Sequence, residues 1–153
     1  MDLKLLSGKK VAIVGVGNED RGDDGAGVEI VRRLRAKIES QNLLLIEAGK
    51  VPENFTKEIK EFGPEITILI DAADFGGKPG EVILAPPDSI KGVAFSTHAL
   101  PLSMLAEYIQ RESGSRVLLL GIQPKQTQLG EKLSTEVENT ITKLVERVAE
   151  IFR

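Results

Sequence analysis

The sequence predicts a three-layer α/β sandwich, in which helices cover both faces of a twisted, mostly parallel sheet of five strands. Short apolar runs rich in Val and Ile alternate along the chain with segments whose apolar residues recur every three or four positions. Runs of the first kind indicate strands and segments of the second kind indicate helices, and this alternation favours a parallel sheet. No repeat or linker interrupts the pattern, so we expect one domain over residues 1–153.

The strands are predicted from the composition of short apolar runs. Five runs have the composition of buried strands, at residues 10–15, 43–47, 66–71, 81–85 and 116–121. The segment between the third and fourth of these runs is too short for a crossover helix. We therefore expect the fourth strand to run antiparallel to the others.

The helices are predicted from their apolar periodicity. It covers residues 28–38, 55–62, 100–109 and 137–152. In the third segment the apolar stripe includes Leu100, Met104, Leu105 and Ile109. The last helix opens with Thr135 and Glu138, whose spacing is that of a capping box at a helix start.

Composition disfavours or excludes several kinds of partner and several kinds of site. The net charge of −3 and the lack of a clustered basic surface disfavour a nucleic-acid partner. The absence of cysteine excludes disulfides, thiolate metal sites and a cysteine nucleophile. No apolar run approaches the roughly 20 residues of a membrane span, and the N-terminus lacks the layout of a signal peptide. We therefore expect a cytoplasmic protein without a membrane partner.

Three residues stand where an α/β sheet places its chemistry. Ligands of such sheets bind outside the carboxyl ends of the strands, near the point where the strand order reverses. Asp24 follows the first strand, Asp71 ends the third, and His98, the only histidine, follows the fourth in "STHALP". Each residue also has a purely structural interpretation. Asp24 places a favourable negative charge at a helix start, Asp71 forms a turn, and His98 is a structural histidine.

The loop after the first strand, "GVGNEDRGDDGAG", is rich in glycine and in acid. Glycine turns in this place often hold a phosphate, but the sequence lacks a complete G-x-G-x-x-G and its carboxylates would repel one. The acidic residues of this loop therefore favour the binding of a cation over that of a phosphate. Gly25 and Gly27 disfavour a helix start unless a backbone or a ligand comes close, so we assign both to substrate binding.

Asp24, Asp71 and His98 together form a possible metal-ligand set. Two carboxylates and an imidazole suit zinc, nickel, copper or iron, and three protein ligands leave coordination positions open. Asp74, three residues beyond Asp71, is assigned to substrate binding, with an Asx-turn as the alternative interpretation.

Five segments resemble the maturation proteases of [NiFe] hydrogenases. They are "GVGN" with "RGDDGAG", "VPEN" at 51–54, "DAADFGGKPGEV" at 71–82, "STHALPLSML" at 96–105 and "LGIQP" at 120–124. Their order and spacing cover nearly the whole chain from residue 11 to the final helix. "GDDGAG", "PEN" and "GIQP" are most similar to the branch that processes formate-hydrogenlyase-type hydrogenases.

The resemblance implies a phosphorylase/hydrolase-like α/β fold and an endopeptidase that removes the C-terminal extension of the hydrogenase large-subunit precursor after nickel insertion. It implies that Asp24, Asp71 and His98 contact nickel, and that the nickel is brought by the precursor and recognised there. Asp24 or Asp71 would then act catalytically, either beside the metal or as general base. The chain has Glu19 and Asp20 where many relatives have apolar residues, which raises the possibility of a competing carboxylate.

Two other functions use the same residues. One is a non-catalytic nickel-binding chaperone or adaptor. The other is a metal-independent aspartic hydrolase, in which Asp24 and Asp71 share a proton. For the oligomeric state we expect a monomer or a weak homodimer.

Overall fold

The structure is a computed structural model that describes residues 2–90, 92–96 and 101–153. Its strands are β1 (Val11–Val16), β2 (Leu43–Gly49), β3 (Ile66–Asp74), β4 (Val82–Ala85), β5 (Ala94–Phe95) and β6 (Arg116–Ile122). Its α-helices are α1 (Ala26–Lys37), α2 (Thr56–Phe62), α3 (Leu102–Ser113) and α4 (Thr135–Phe152).

The sheet has the order β2-β1-β3-β6-β4. β1 pairs in parallel with β2 and with β3, and β3 pairs in parallel with β6. β4 runs antiparallel to β6, which confirms the orientation predicted for the fourth strand. The prediction of five strands was wrong by one, because β5 pairs antiparallel with the end of β3. A strand of two residues has no periodicity of its own and forms only because β3 extends to Asp74 to receive it.

Two apolar cores confirm the three-layer arrangement. The first packs α1 and α4 against one face of the sheet, through residues such as Ile30, Ile68 and Ile141. The second packs α2 and α3 against the other face, through residues such as Ile59 and Leu119. Alternate residues of β3 enter opposite cores, as the two-residue period of a strand requires.

Two local predictions about the helices were wrong. Met104 is 57% exposed, because α3 buries the stripe that contains Leu105 and Ile109 and turns Met104 away from it. Ser134, and not Thr135, caps α4: its hydroxyl accepts from the backbone N–H of Val137 at 3.3 Å. The capping-box spacing was therefore displaced by one residue.

None of the helices in the described ranges is long and apolar enough to cross a membrane.

Candidate functional site

A cavity of about 630 Å³ opens at the carboxyl rim of the sheet. It lies between the ends of β1 and β3, where the chain passes from one half of the sheet to the other, as expected for a ligand site in this architecture. Its lining residues are Gly17, Asn18, Arg21, Asp24, Lys50, Ala72, Ala73, Asp74, Ala94, Ser96, Pro124 and Thr127.

Asp24 lines this cavity from a 3₁₀ turn (Gly22–Gly25) that leads into α1. The residue is only 8% exposed. Its Oδ2 accepts a hydrogen bond from the backbone N–H of Asn18 at 3.2 Å, whereas its Oδ1 is buried and has no hydrogen-bond partner among the described residues. A buried carboxylate oxygen without a donor is costly, so this atom suits a cation or a proton donor that comes from a ligand.

Asp71 is fully buried within β3. Its Oδ1 accepts hydrogen bonds from the backbone N–H of Ala72 at 2.9 Å and from the hydroxyl of Ser96 at 2.7 Å. Ala72 and Ser96 themselves line the cavity, so the carboxylate lies directly behind the cavity wall. The two hydrogen bonds fix its orientation.

Gly17 brings the Asp24 loop and the Asp71 carboxylate together. Its φ of +131° is one that glycine adopts and other residues avoid. A Cβ at this position would collide with the backbone oxygen of Asp24 and would lie 3.3 Å from Oδ1 of Asp71. The absence of a side chain at Gly17 therefore allows the two aspartates to share one rim.

The third predicted ligand, His98, lies outside the described residues, so the three-ligand arrangement stays a prediction. Within the described ranges, no group of three or more His, Cys, Asp or Glu side chains is placed to hold a metal ion. Asp24 and Asp71 are thus the predicted ligands that the structure places at this rim.

Asp74 is exposed at the end of β3 and lines the same cavity. Its Oδ1 accepts from the backbone N–H of Gly76 at 3.0 Å, which is an Asx-turn, and from Nε2 of Gln123 at 3.2 Å. These hydrogen bonds, first that of Gly76 and then that of Gln123, hold the pKa of the Asp74 carboxyl below its ordinary value. The turn accounts for the residue, and its contact with a substrate stays a prediction.

Gly25 and Gly27 are both buried, and the protein's own backbone makes the close approach at each. A Cβ on Gly25 would lie 2.9 Å from Cα of Glu19. A Cβ on Gly27 would collide with the carbonyl oxygen of Ile70 and would lie 2.8 Å from that of Val16. These contacts let α1 begin against β1 and β3. Contact of either glycine with a substrate stays a prediction.

We expect Gly27→Ala to lower the free energy of unfolding by about 2 kcal/mol. Helix propensity alone predicts the opposite sign, because alanine is favoured over glycine inside a helix by about 1 kcal/mol. The collision with a strand carbonyl outweighs that gain, since neither backbone moves easily. Urea unfolding measures the change. The control Asn139→Ala, at an exposed position of α4, should be neutral or slightly stabilising, and a stabilised Gly27→Ala would contradict the prediction.

Asp23, next to Asp24, has a structural role. It is 1% exposed, and its two carboxylate oxygens accept four hydrogen bonds from the β6–α4 loop (residues 123–134). The donors are the backbone N–H and hydroxyl of Ser134 and the backbone N–H groups of Lys125 and Gln126. Asp23 therefore holds the turn that presents Asp24 to the cavity.

The Glu19 carboxylate pairs with an arginine of α1 and is not among the residues that line the cavity. Its Oε2 accepts from Nη1 of Arg32 at 2.6 Å, and Arg32 also pairs with Glu47 at 3.0 Å. The hydrogen bond from Arg32 holds the pKa of the Glu19 carboxyl below its ordinary value. The Glu19 side chain is thus held by an ion pair with α1, whereas a competing role for Asp20 stays a prediction.

Apart from Asp24 and Asp74, five polar residues line this cavity, and sequence reasoning missed all of them: Asn18, Arg21, Lys50, Ser96 and Thr127. Ser96 had a signal, because it belongs to the same "STHALP" segment as His98. Asn18 acts through its backbone N–H, which any residue provides. Lys50 follows β2, and we predicted no site residue at the end of that strand.

Comparison with known proteins gives a consistent result. A model of the HycI hydrogenase maturation protease family matches residues 28–151. A putative hydrogenase maturation protease of Methanocaldococcus jannaschii is 39% identical over 97% of this chain and 92% of its own length. The hydrogenase 3 maturation protease of Escherichia coli K12 is 37% identical over 71% of this chain and 69% of its own length.

Solved structures agree with these relatives. The crystal structure of a [NiFe] hydrogenase maturation protease, HycI, from Thermococcus kodakarensis KOD1 is similar with a TM-score of 0.89. It is 39% identical and the match covers 97% of this chain and 96% of that chain. The hydrogenase 3 maturation protease crystal structure has a TM-score of 0.80 at 30% identity, over 92% of this chain and 89% of that one.

Proposed function

The chain belongs to the HycI family of hydrogenase maturation proteases, and from this premise we propose that it removes the C-terminal extension of a [NiFe] hydrogenase large-subunit precursor. We propose further that it cuts after nickel has been inserted and that the bound nickel is part of what it recognises. The nickel is thus a component of the substrate and not a resident cofactor of the protease.

The observation that carries this proposal is the bare Oδ1 of Asp24. It is buried, it has no hydrogen-bond partner in the part of the chain that the structure describes, and its residue lines the cavity at the carboxyl rim. Asp71 lies behind the wall of the same cavity, within 3.3 Å of where a Cβ on Gly17 would be. Carboxylate oxygens of this kind accept a divalent cation of an incoming partner, and His98 is proposed as the third ligand on the resemblance alone.

The chemistry is peptide hydrolysis. Water adds to the carbonyl carbon of the scissile peptide, the C–N bond breaks, and the departing amine takes up a proton. Of Asp24 and Asp71, the residue whose carboxylate has an oxygen that the nickel leaves free would act as general base. The nickel of the precursor would polarise the carbonyl or lower the pKa of the water.

The test compares precursor made with and without nickel. We expect the loaded precursor to be shortened at its C-terminus and the nickel-free precursor to stay intact, because without nickel the two aspartates have no cation through which to hold the precursor. Intact-mass measurement of the products after incubation gives the result. Asp24→Asn serves as the inactive control, since it lacks the charge but keeps the shape.

Each rival function has its own outcome in this experiment. Binding of the loaded precursor without cleavage indicates a nickel-binding chaperone or adaptor. Cleavage of nickel-free and loaded precursor at equal rates indicates a metal-independent aspartic hydrolase, in which Asp24 and Asp71 share a proton.

A further inference from the structure

The cavity has basic side chains as well as acidic ones. Arg21 and Lys50 line it together with Asp24 and Asp74. Neither Arg21 nor Lys50 makes a side-chain hydrogen bond or an ion pair within the described residues. They are both exposed and lie on different elements, Arg21 in the loop after β1 and Lys50 directly after β2.

Two nearby acids, Glu19 and Asp74, are engaged elsewhere and do not pair with these two cations. Glu19, two residues before Arg21, pairs with Arg32 at 2.6 Å. Asp74 accepts from the Gly76 N–H and from Gln123 instead of from a cation. By contrast with Arg21 and Lys50, the three arginines of α1 all form ion pairs with glutamates: Arg32, Arg33 and Arg35.

The backbones that present both cations are held in place. The N–H of Arg21 donates to the carbonyl of Asn18 at 3.2 Å, and the N–H of Gly22 donates to Glu131 at 3.0 Å across to the β6–α4 loop. Beside Lys50, the carbonyl of Gly49 accepts from the N–H of Gly17 at 2.9 Å. Both attachment points are therefore fixed relative to the cavity, although the long side chains remain adaptable.

We propose that Arg21 and Lys50 bind an anionic group of the precursor that lies beside its nickel. This inference rests on the proposed function and deepens it. A cavity that offers carboxylates and unpaired cations suits a partner that carries both signs of charge within a short distance. A nickel ion held by thiolates is such a partner, since its metal faces the aspartates and its thiolates face the cations. A carboxylate of the precursor chain near the cleavage point is the other source of the same chemistry.

The test uses Arg21→Gln, Lys50→Gln and the double variant of the full-length protein. Each single change should weaken binding of loaded precursor and raise KM by about fivefold, the upper range for an exposed ion pair, with a smaller effect on kcat. Wild-type affinity should fall as salt is added, and the double variant should respond less. The controls Lys143→Gln and Arg147→Gln, exposed on α4 and absent from the cavity lining, should leave both constants unchanged.

Nickel-free precursor identifies the source of the anion. A loss of affinity confined to loaded precursor assigns the contact to the thiolates of the metal site, and an equal loss with nickel-free precursor assigns it to a carboxylate of the chain. Unchanged KM, Kd and salt dependence in the double variant would overturn the inference. Because Kd is measured on uncut precursor, this result stays separate from the proposed function, which fails if the wild-type protein does not cut loaded precursor.

Discussion

Asp71→Asn is expected to reduce precursor cleavage by about 10³-fold or more while the protein keeps its fold. The amide oxygen still accepts from the Ala72 N–H and from the Ser96 hydroxyl, so these two hydrogen bonds survive. What is lost is the negative charge behind the cavity wall, and with it the attraction for the cation of the precursor. Single-turnover cleavage of nickel-loaded precursor measures the loss, and thermal unfolding verifies the fold.

Asp74→Asn is the matched control for this experiment. Asp74 lies on the same strand and lines the same cavity, but it is exposed and its Oδ1 serves an Asx-turn. An asparagine forms the same turn, so cleavage should change by less than about fivefold. Equal losses in two folded variants would show that the division of β3 between a functional and a structural aspartate is wrong.

The second large effect is on stability, and we expect it from Asp23→Ala. The change leaves three backbone N–H groups and one hydroxyl without their acceptor; the two groups of Ser134 are buried, and the N–H groups of Lys125 and Gln126 are partly buried. Each unsatisfied buried donor costs roughly 1–3 kcal/mol, and partial access of water reduces the sum, so the free energy of unfolding should fall by about 4 kcal/mol. Urea unfolding followed by circular dichroism gives the value.

Asp24→Asn is the control at the adjacent position. Within the described residues, Asp24 accepts a single hydrogen bond of 3.2 Å and has one oxygen without a donor, so its neutralisation should change stability by less than about 1 kcal/mol. It should nevertheless abolish cleavage. If Asp23→Ala does not fold well enough to measure, Asp23→Asn, which keeps one acceptor oxygen, should show a smaller loss of the same sign. A stable Asp23→Ala would refute the structural role.

These two pairs of variants separate neighbouring aspartates that composition cannot distinguish. Asp23 and Asp24 are both acids at the start of α1, and both suit the helix dipole. The difference arises from the β6–α4 loop, more than 100 residues away, which directs its donors at one carboxylate and not at the other. The proposed division of labour is therefore that Asp23 positions the turn and Asp24 contacts the substrate.

The sequence by itself determined the layers, the main strands and the rim at which Asp24 and Asp71 lie. Each of these depends on local patterns: a buried strand is a short apolar run, and parallel strands carry their carboxyl ends to one edge. Asp71 follows such a run, so its place at the rim follows from strand direction alone. The orientation of β4 followed in the same way, from the length of the preceding segment.

Only the tertiary structure decided which partner each polar group and each glycine meets. β5 forms because the end of β3 offers it hydrogen bonds, and Glu19 is paired because Arg32 of α1 reaches it. Residue 27 has to be glycine because the carbonyl oxygen of Ile70, 43 positions further along the chain (70 − 27 = 43), leaves no room for a Cβ. Such contacts join segments that are distant in sequence, and no local pattern encodes them, because the free energy of a hydrogen bond or a close approach depends on what the fold places opposite it.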